Sequence, residues 1–375
     1  MMKTINKIER VDEIAKHYGF KKIEIPSSHM SGDIFLHPHQ KKSILKEYHL
    51  THQKRTHPVS MIYNNQPIFT NNKVKNPLIF KNFNFDILGV PDSIAEATII
   101  HTAIVSLKEE GYKNPFVTIN SLGDKDSLIN FKNSLFDFYK SREKELHPEC
   151  RSFFKKDVFN LLSCKHKECQ KLRELAPRPI YFLSDKSQRH LKNTLEYLES
   201  MGVDYNMDDL LTSPNNHFSK IIFEIKHKLP KSPQKEILLG RGGRYDELAR
   251  NIIRRKATHA VGVSLEFPKK KHRIIKRKSK KRPKFYFIQF GPDAKQKSLF
   301  VIEMLRASKL EVKQDLYLNK FSDQIEKAKK LDIQYTLILG QKEALNNTII
   351  VKDLKRATQE SIKLNKILNY LERLK

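Results

Sequence analysis

The sequence predicts an α+β core with a mostly helical stretch inside it, followed by a smaller α/β domain. Three observations predict it. Short runs at 83–89, 116–120 and 221–225 carry apolar side chains at strand spacing. Residues 125–205 are rich in Lys and Glu at helical spacing. Beyond an acid-free basic stretch at 269–284, strand and helix patterns alternate with short connections to residue 375. The expected division is a core over 1–268 with the insertion at about 125–205, a basic linker over 269–284, and an α/β domain over 285–375.

Residues 7–18 read as an amphipathic helix stopped by Gly19, and Lys22-Ile23-Glu24-Ile25-Pro26 as a short strand. From 34 to 81 the text is polar, with Pro38, Pro58, Pro67 and Pro77, and predicts turns. Phe83-Asn84-Phe85-Asp86-Ile87-Leu88-Gly89 alternates as a strand. Residues 93–111 set Ile94, Ala97, Ile100, Ala103, Ile104 and Leu107 on one helical face. Phe116-Val117-Thr118-Ile119-Asn120 is a further strand closed by Gly123. After the insertion, a strand at 221–225 precedes a glycine-rich tight turn at 240–243 and a helix at 245–253. In the last domain, strands are expected at 285–290, 311–315, 335–339 and 348–353, with helices at 294–308, 321–331 and 361–374.

The chain carries 71 Lys and Arg against 42 Asp and Glu, a formal net charge of +29. Such an excess points to a polyanionic partner. With 22 Phe and 13 Tyr the chain has core material, which excludes global disorder. Three cysteines cannot close a disulfide framework, which suits a reducing compartment. Met1-Met2-Lys3-Thr4-Ile5-Asn6 opens no apolar signal-peptide core, and no apolar run approaches the ~18 residues of a membrane span. The expectation is a cytoplasmic protein without membrane contact, an organellar matrix being the other compartment left open.

Several words resemble one family. Leu239-Gly240-Arg241-Gly242-Gly243-Arg244-Tyr245-Asp246 resembles the Gly-Gly-Arg-Tyr-Asp signature of histidyl-tRNA synthetases, and Ala260-Val261-Gly262-Val263-Ser264-Leu265 resembles the opening of their class II motif 3. Gly19 to Pro26 is similar to motif 1, and Cys164-Lys165 with Glu168-Cys169-Gln170 and Ala176-Pro177 to the bacterial-type insertion. Asn347-Thr348-Ile349-Ile350-Val351-Lys352-Asp353-Leu354 is similar to the end of the anticodon-binding domain. The words keep the family's order over nearly the whole chain. The resemblance implies a class II synthetase-like core, an antiparallel sheet flanked by helices and carrying a helical insertion, with an anticodon-binding-like C-terminal domain and a homodimer through the region of Pro26.

The residues that would carry adenylation depart from the pattern. Where the family has Arg-Pro-Glu-Gly-Thr, whose acid and threonine hold the amino acid, this chain reads His37-Pro38-His39-Gln40-Lys41. Motif 2 reads Gln66-Pro67-Ile68-Phe69-Thr70-Asn71-Asn72, so Thr70 replaces the arginine for the α-phosphate, and Leu78 stands at a second arginine position. Ser213-Pro214-Asn215-Asn216-His217-Phe218 replaces the histidine-specific stretch, and Lys269 falls where motif 3 has its γ-phosphate arginine. A hydroxyl cannot replace a bidentate charged fork at a phosphoryl centre. Losing one pre-organised donor costs about 10²–10³ in rate, and several are lost together.

No catalytic residue is therefore expected. His37, His39, Thr70, Asn82, Ser213 and Arg244 remain as a degenerate ligand pocket. His49, His52 and His57 read as surface side chains of a polar loop, because no carboxylates are interleaved with them. The basic stretch holds eleven Lys and Arg, of which Lys269, Lys270, Lys271, Arg273, Lys276, Arg277, Lys278, Lys280, Lys281 and Arg282 are the candidate RNA contacts. An address signal read by import receptors is its rival reading. Cys150, Cys164, His166 and Cys169 could satisfy a tetrahedral metal, but at irregular spacing idle thiols and no metal are the default. The expected function is a non-catalytic synthetase-like protein that binds tRNA or another structured RNA and uses no cofactor. The alternatives are a divergent active histidine–tRNA ligase using ATP and Mg²⁺, and a regulatory subunit of a histidine-biosynthesis or nutrient-sensing complex.

Overall fold

The computed structural model describes residues 10–24, 38–51, 59–69, 79–212, 218–229, 232–254, 258–268 and 283–374. The core runs α1 (Arg10–His17), β1 (Lys21–Lys22), α2 (Pro38–Thr51), β2 (Ser60–Phe69), β3 (Ile79–Leu88), α3 (Ile94–Glu109) and β4 (Phe116–Gly123). The insertion follows as α4 (Lys125–Ser141), α5 (Pro148–Lys156), α6 (Phe159–Leu162), α7 (Lys167–Leu175) and α8 (Asp185–Ser200). The chain then returns through β5 (Tyr205–Met207), β6 (Ser219–Leu229), β7 (Ser232–Arg244), α9 (Asp246–Ile253) and β8 (Ala260–Pro268).

These strands form one eight-stranded sheet in the order β1-β2-β3-β8-β7-β6-β4-β5. Its long central pairs are antiparallel, but β1 with β2 and β4 with β5 are parallel. The sheet is therefore mixed rather than purely antiparallel. Under one face lies α3, buried from Ile94 to Leu107 around its whole circumference. Thr98, Thr102 and Ser106 make that burial possible, since each hydroxyl donates to the carbonyl four residues back at 2.7 Å.

Two stretches differ from expectation. The polar text at 34–81 contains α2 and β2 rather than turns alone. Asn64 is buried in β2, on a sheet face that is itself polar. Likewise 240–243 is not a tight turn but part of β7, and none of Gly240, Gly242 and Gly243 has positive φ. Their reason is close approach, because a Cβ at Gly242 would stand 2.5 Å from both the Gly262 carbonyl oxygen and the Phe223 ring.

The C-terminal part comprises β9 (Phe285–Gln289), α10 (Pro292–Ala307), β10 (Val312–Gln314), α11 (Phe321–Lys330), β11 (Tyr335–Leu339), α12 (Gln341–Leu345), β12 (Thr348–Asp353), β13 (Gln359–Lys363) and α13 (Ile367–Arg373). Its sheet order is β10-β9-β11-β12-β13, parallel over the first three strands and antiparallel over the last two pairings. The helix expected at 361–374 begins only at Ile367, because Gln359–Lys363 pairs as an edge strand with β12. This part docks on the core through α10. Tyr18 Oη donates to Glu303, His101 Nε2 lies 3.0 Å from Tyr18 Oη, and Arg306 pairs with Glu303 at 2.7 Å.

Candidate functional site

The period of two along β3 separates Phe83, Phe85 and Ile87 from Asn82, Asn84 and Asp86, and all six are buried. The apolar three join the core under α3. The polar three face the other way, and register extends them sideways. Asp86 stands opposite Gly262, Asn84 opposite Ser264 and Asn82 opposite Glu266. Arg241 of β7 lies opposite both Ser264 and Glu224, while Asn64 of β2 lies opposite Asn84. The result is a polar strip across five strands.

Part of the strip is internally bonded. Asn84 Nδ2 donates to Asn82 Oδ1, Ser264 Oγ donates to Asn84 Oδ1, and Arg241 Nε and Nη2 donate to Glu224 Oε1 at 3.0 and 2.6 Å. Part is not. Both amide atoms of Asn64, Asn82 Nδ2 and Asp86 Oδ2 are buried without a hydrogen-bond partner among the described residues. Each such orphan costs about 1–3 kcal/mol, so this face is not arranged for stability alone.

At its centre sits Lys41, which the first turn of α2 sends onto the sheet. Its ammonium pairs with Asp86 Oδ1 and lies 5.3 Å from the centroid of the Tyr245 ring, and both charged groups are almost fully buried. Tyr245 Oη donates to the same Asp86 oxygen at 2.6 Å, and burial with Asp86 beside it pushes the phenol well above its ordinary range. The cluster lies directly over Gly262, where a Cβ would collide with Asp86 and Lys41. Sequence reasoning alone does not single out Lys41, Asp86, Asn64 or Arg241 as site residues. The alternation at 82–86 is the signal that could have found them.

Arg244, expected in a ligand pocket, is on the opposite face and fully buried. Its Nε and Nη2 donate to Glu96 Oε1 and Oε2 at 2.7 and 2.6 Å, and Nη1 donates to the Val90 carbonyl at 2.9 Å. His190 Nε2 reaches Glu96 Oε1 at 2.6 Å. Burial pushes the Glu96 carboxyl up, but Arg244 and His190 outweigh it and hold the group well below the usual carboxylate range. Every strong donor of Arg244 is thus spent inside the core, which corrects its assignment to a ligand pocket: it ties β7 to α3.

Of the other expected residues, Asn82 lies on the polar strip. His39 falls in the first turn of α2, with its side chain outside the described residues. His37, Thr70, Ser213 and the candidate RNA contacts at 269–282 lie outside the described residues altogether. In the insertion, Cys150, Cys164, Cys169 and His166 do come together although their spacing is irregular. Among the described residues no helix is long and apolar enough to cross a membrane.

Comparison with known proteins agrees with this architecture. Residues 284–374 match the family model for an anticodon binding domain. The histidine–tRNA ligase of Listeria monocytogenes serotype 4b (strain F2365) is 25% identical over 343 residues, covering 90% of this chain and 80% of that protein. The histidine–tRNA ligase of Acholeplasma laidlawii (strain PG-8A) is 26% identical over 298 residues, covering 79% and 71%. Among solved structures, apo S. aureus histidyl-tRNA synthetase superposes with a TM-score of 0.53, at 19% identity and 99% coverage of both chains. The sequence match along most of the chain and the anticodon binding domain make this chain similar to the histidine–tRNA ligases, and it shares the fold of a histidyl-tRNA synthetase.

Proposed function

We propose that this chain is a histidyl-tRNA synthetase-like protein without adenylation chemistry, which binds tRNA or another structured RNA. The observation that carries the reading is the Lys41–Asp86–Tyr245 cluster. The family resemblance assigns the position of Lys41 to a threonine that holds the amino acid, and here a buried ammonium fills that place and neutralises Asp86. A substrate amine would have to displace a paired internal charge, which is costly in a dry site. The replacement of arginine by Thr70 argues the same way, because attack of an amino-acid carboxylate on the α-phosphate of ATP, with pyrophosphate leaving, needs a fixed cationic fork. ATP and Mg²⁺ have no part in this reading.

RNA binding is supported by the net charge of +29 and by the anticodon binding domain at 284–374. The basic stretch would lie along phosphates while the C-terminal domain holds unstacked bases. We further propose a homodimer through the region of Pro26 and a cytoplasmic location. Filter binding with tRNA at two salt concentrations tests the RNA reading. Replacing Lys276, Arg277, Lys278, Lys280, Lys281 and Arg282 with Ala should flatten the dependence of log K on log salt by about 0.7–0.9 for each phosphate no longer neutralised, with little change in sequence preference. Absent binding, or binding insensitive to salt, contradicts it.

A further inference from the structure

The helical insertion contains a second cluster of chemically reactive groups. Cys150 Sγ lies 3.3 Å from Cys164 Sγ and 3.2 Å from His166 Nδ1, and Cys164 Sγ is 3.3 Å from the same nitrogen. The sulfurs of Cys150, Cys164 and Cys169 are all within 4.8 Å of one another. Ligands at ~2.3 Å (sulfur) and ~2.0 Å (nitrogen) around a tetrahedral ion stand on the order of 3.5–3.8 Å apart, so Cys150, Cys164 and His166 are slightly closer together than such corners, and Cys169 Sγ is within 4.8 Å of both other sulfurs. We propose that Cys150, Cys164, Cys169 and His166 form a structural zinc site that pins the insertion.

Three further observations support it. First, the groups surrounding the sulfurs are those that orient and polarise metal ligands. The backbone amides of His166 and His147 lie near Cys164 and Cys169 respectively and favour their thiolates. Glu149 lies 3.8 Å from the far nitrogen of His166. Such outer contacts are typical of ligating thiolates and imidazoles.

Second, the His147 ring stacks on His166 with centroids 3.8 Å apart and planes within 7°. Its Nδ1 is buried without a hydrogen-bond partner among the described residues, although it belongs to the same group as Cys150 and His166. A purely apolar packing role for the cysteines leaves that polar crowding unexplained.

Third, the elements joined are too short to stand alone. α5, α6 and α7 have nine, four and nine residues, and Cys150 and Cys169 sit in their small shared core. Isolated helices of this length are marginal, and a metal tying one helix to the next turn and the next helix supplies folding energy directly. All three cysteines are free thiols, so the donor set is chemically available. Zinc suits this soft sulfur-rich set, and closing all four positions with protein atoms makes the site structural rather than catalytic.

The test uses the full chain in reducing buffer with added zinc, desalted and assayed for metal and for thiols reactive before and after chelation. About one zinc per chain should remain, and the three cysteines should react only after chelation. Cobalt in place of zinc should give the visible absorption of a tetrahedral thiolate site. That absorption should be lost or shifted in Cys164→Ser and His166→Ala but kept in His147→Phe, which preserves the stack. Zinc lost on desalting, with all thiols equally reactive in its presence, overturns the proposal. So does a Cys150–Cys164 disulfide in protein isolated without oxidant. Loss in His147→Phe with retention in His166→Ala overturns the choice of the fourth ligand. The unmodified chain carries the first two readouts, so a variant that fails to fold does not shelter the idea.

Discussion

The two faces of the eight-stranded sheet share strands and register yet follow opposite rules. On the face under α3, Phe83, Phe85, Ile87, Val261, Val263 and Leu265 form a dry core, and the buried cation Arg244 is matched by Glu96. On the other face, Asn64, Asn82 and Asp86 keep buried polar atoms without partners among the described residues, and Lys41 neutralises only one oxygen of Asp86. A sheet side built for folding satisfies its polar groups. One that retains orphans answers to a requirement other than folding, which under the proposed reading is a ligand pocket.

The sharpest way to break the comparison is to remove the matched charge. Arg244→Met leaves Glu96 buried with only His190, and should cost about 3–5 kcal/mol of folding stability by chemical denaturation. A loss below about 1 kcal/mol would mean that the α3 face does not depend on this pair.

A smaller effect is expected at the junction of α1 and α10. His17 Nε2 lies 3.3 Å from the Ile302 carbonyl oxygen, and burial lowers its pKa from 6.5 to about 4. A base depressed in this way contributes its full stability above its unfolded pKa and loses it as pH falls toward the folded value. Stability should therefore drop by about 2 kcal/mol between pH 6.5 and 4, and His17→Gln should flatten that window. The Glu303 carboxyl, raised by burial but held below its usual range by Arg306, His101 and Tyr18, has its loss at still lower pH. An unchanged slope in His17→Gln would assign the window to other groups.

The smallest effect is on the polar face. Asn64→Leu removes two orphaned amide atoms, and should be neutral or stabilising by up to about 1 kcal/mol. A cost of several kcal/mol would show that Asn64 has a partner that the described residues do not supply.

How much of the fold and the site is readable in the sequence depends on which face a residue serves. Residues 93–111 and 285–290 are legible because one requirement, burial, sets their pattern, and α3 and β9 lie where the spacing puts them. β2 is not, because Asn64, Asn65 and Gln66 resemble solvated loop text, although Asn64 serves a polar sheet face. The glycines of β7 read locally as a turn, since close approach to Phe223 and Gly262 depends on neighbouring strands that local sequence does not reveal. The same holds for Arg244, whose partner Glu96 is 148 residues away. In the sequence Lys41 stands out only as a departure from a motif. Its pairing with Asp86 follows from α2, an element the proline-rich text conceals.

The claim that this fold no longer supports adenylation rests on Lys41 occupying the polar face, and histidine-dependent ATP–pyrophosphate exchange with the purified full chain tests it most directly. The account predicts no exchange above the rate seen without histidine, with tRNA still bound at low salt. Robust histidine-dependent exchange would contradict it, and would mean that Lys41 leaves Asp86 when substrate enters.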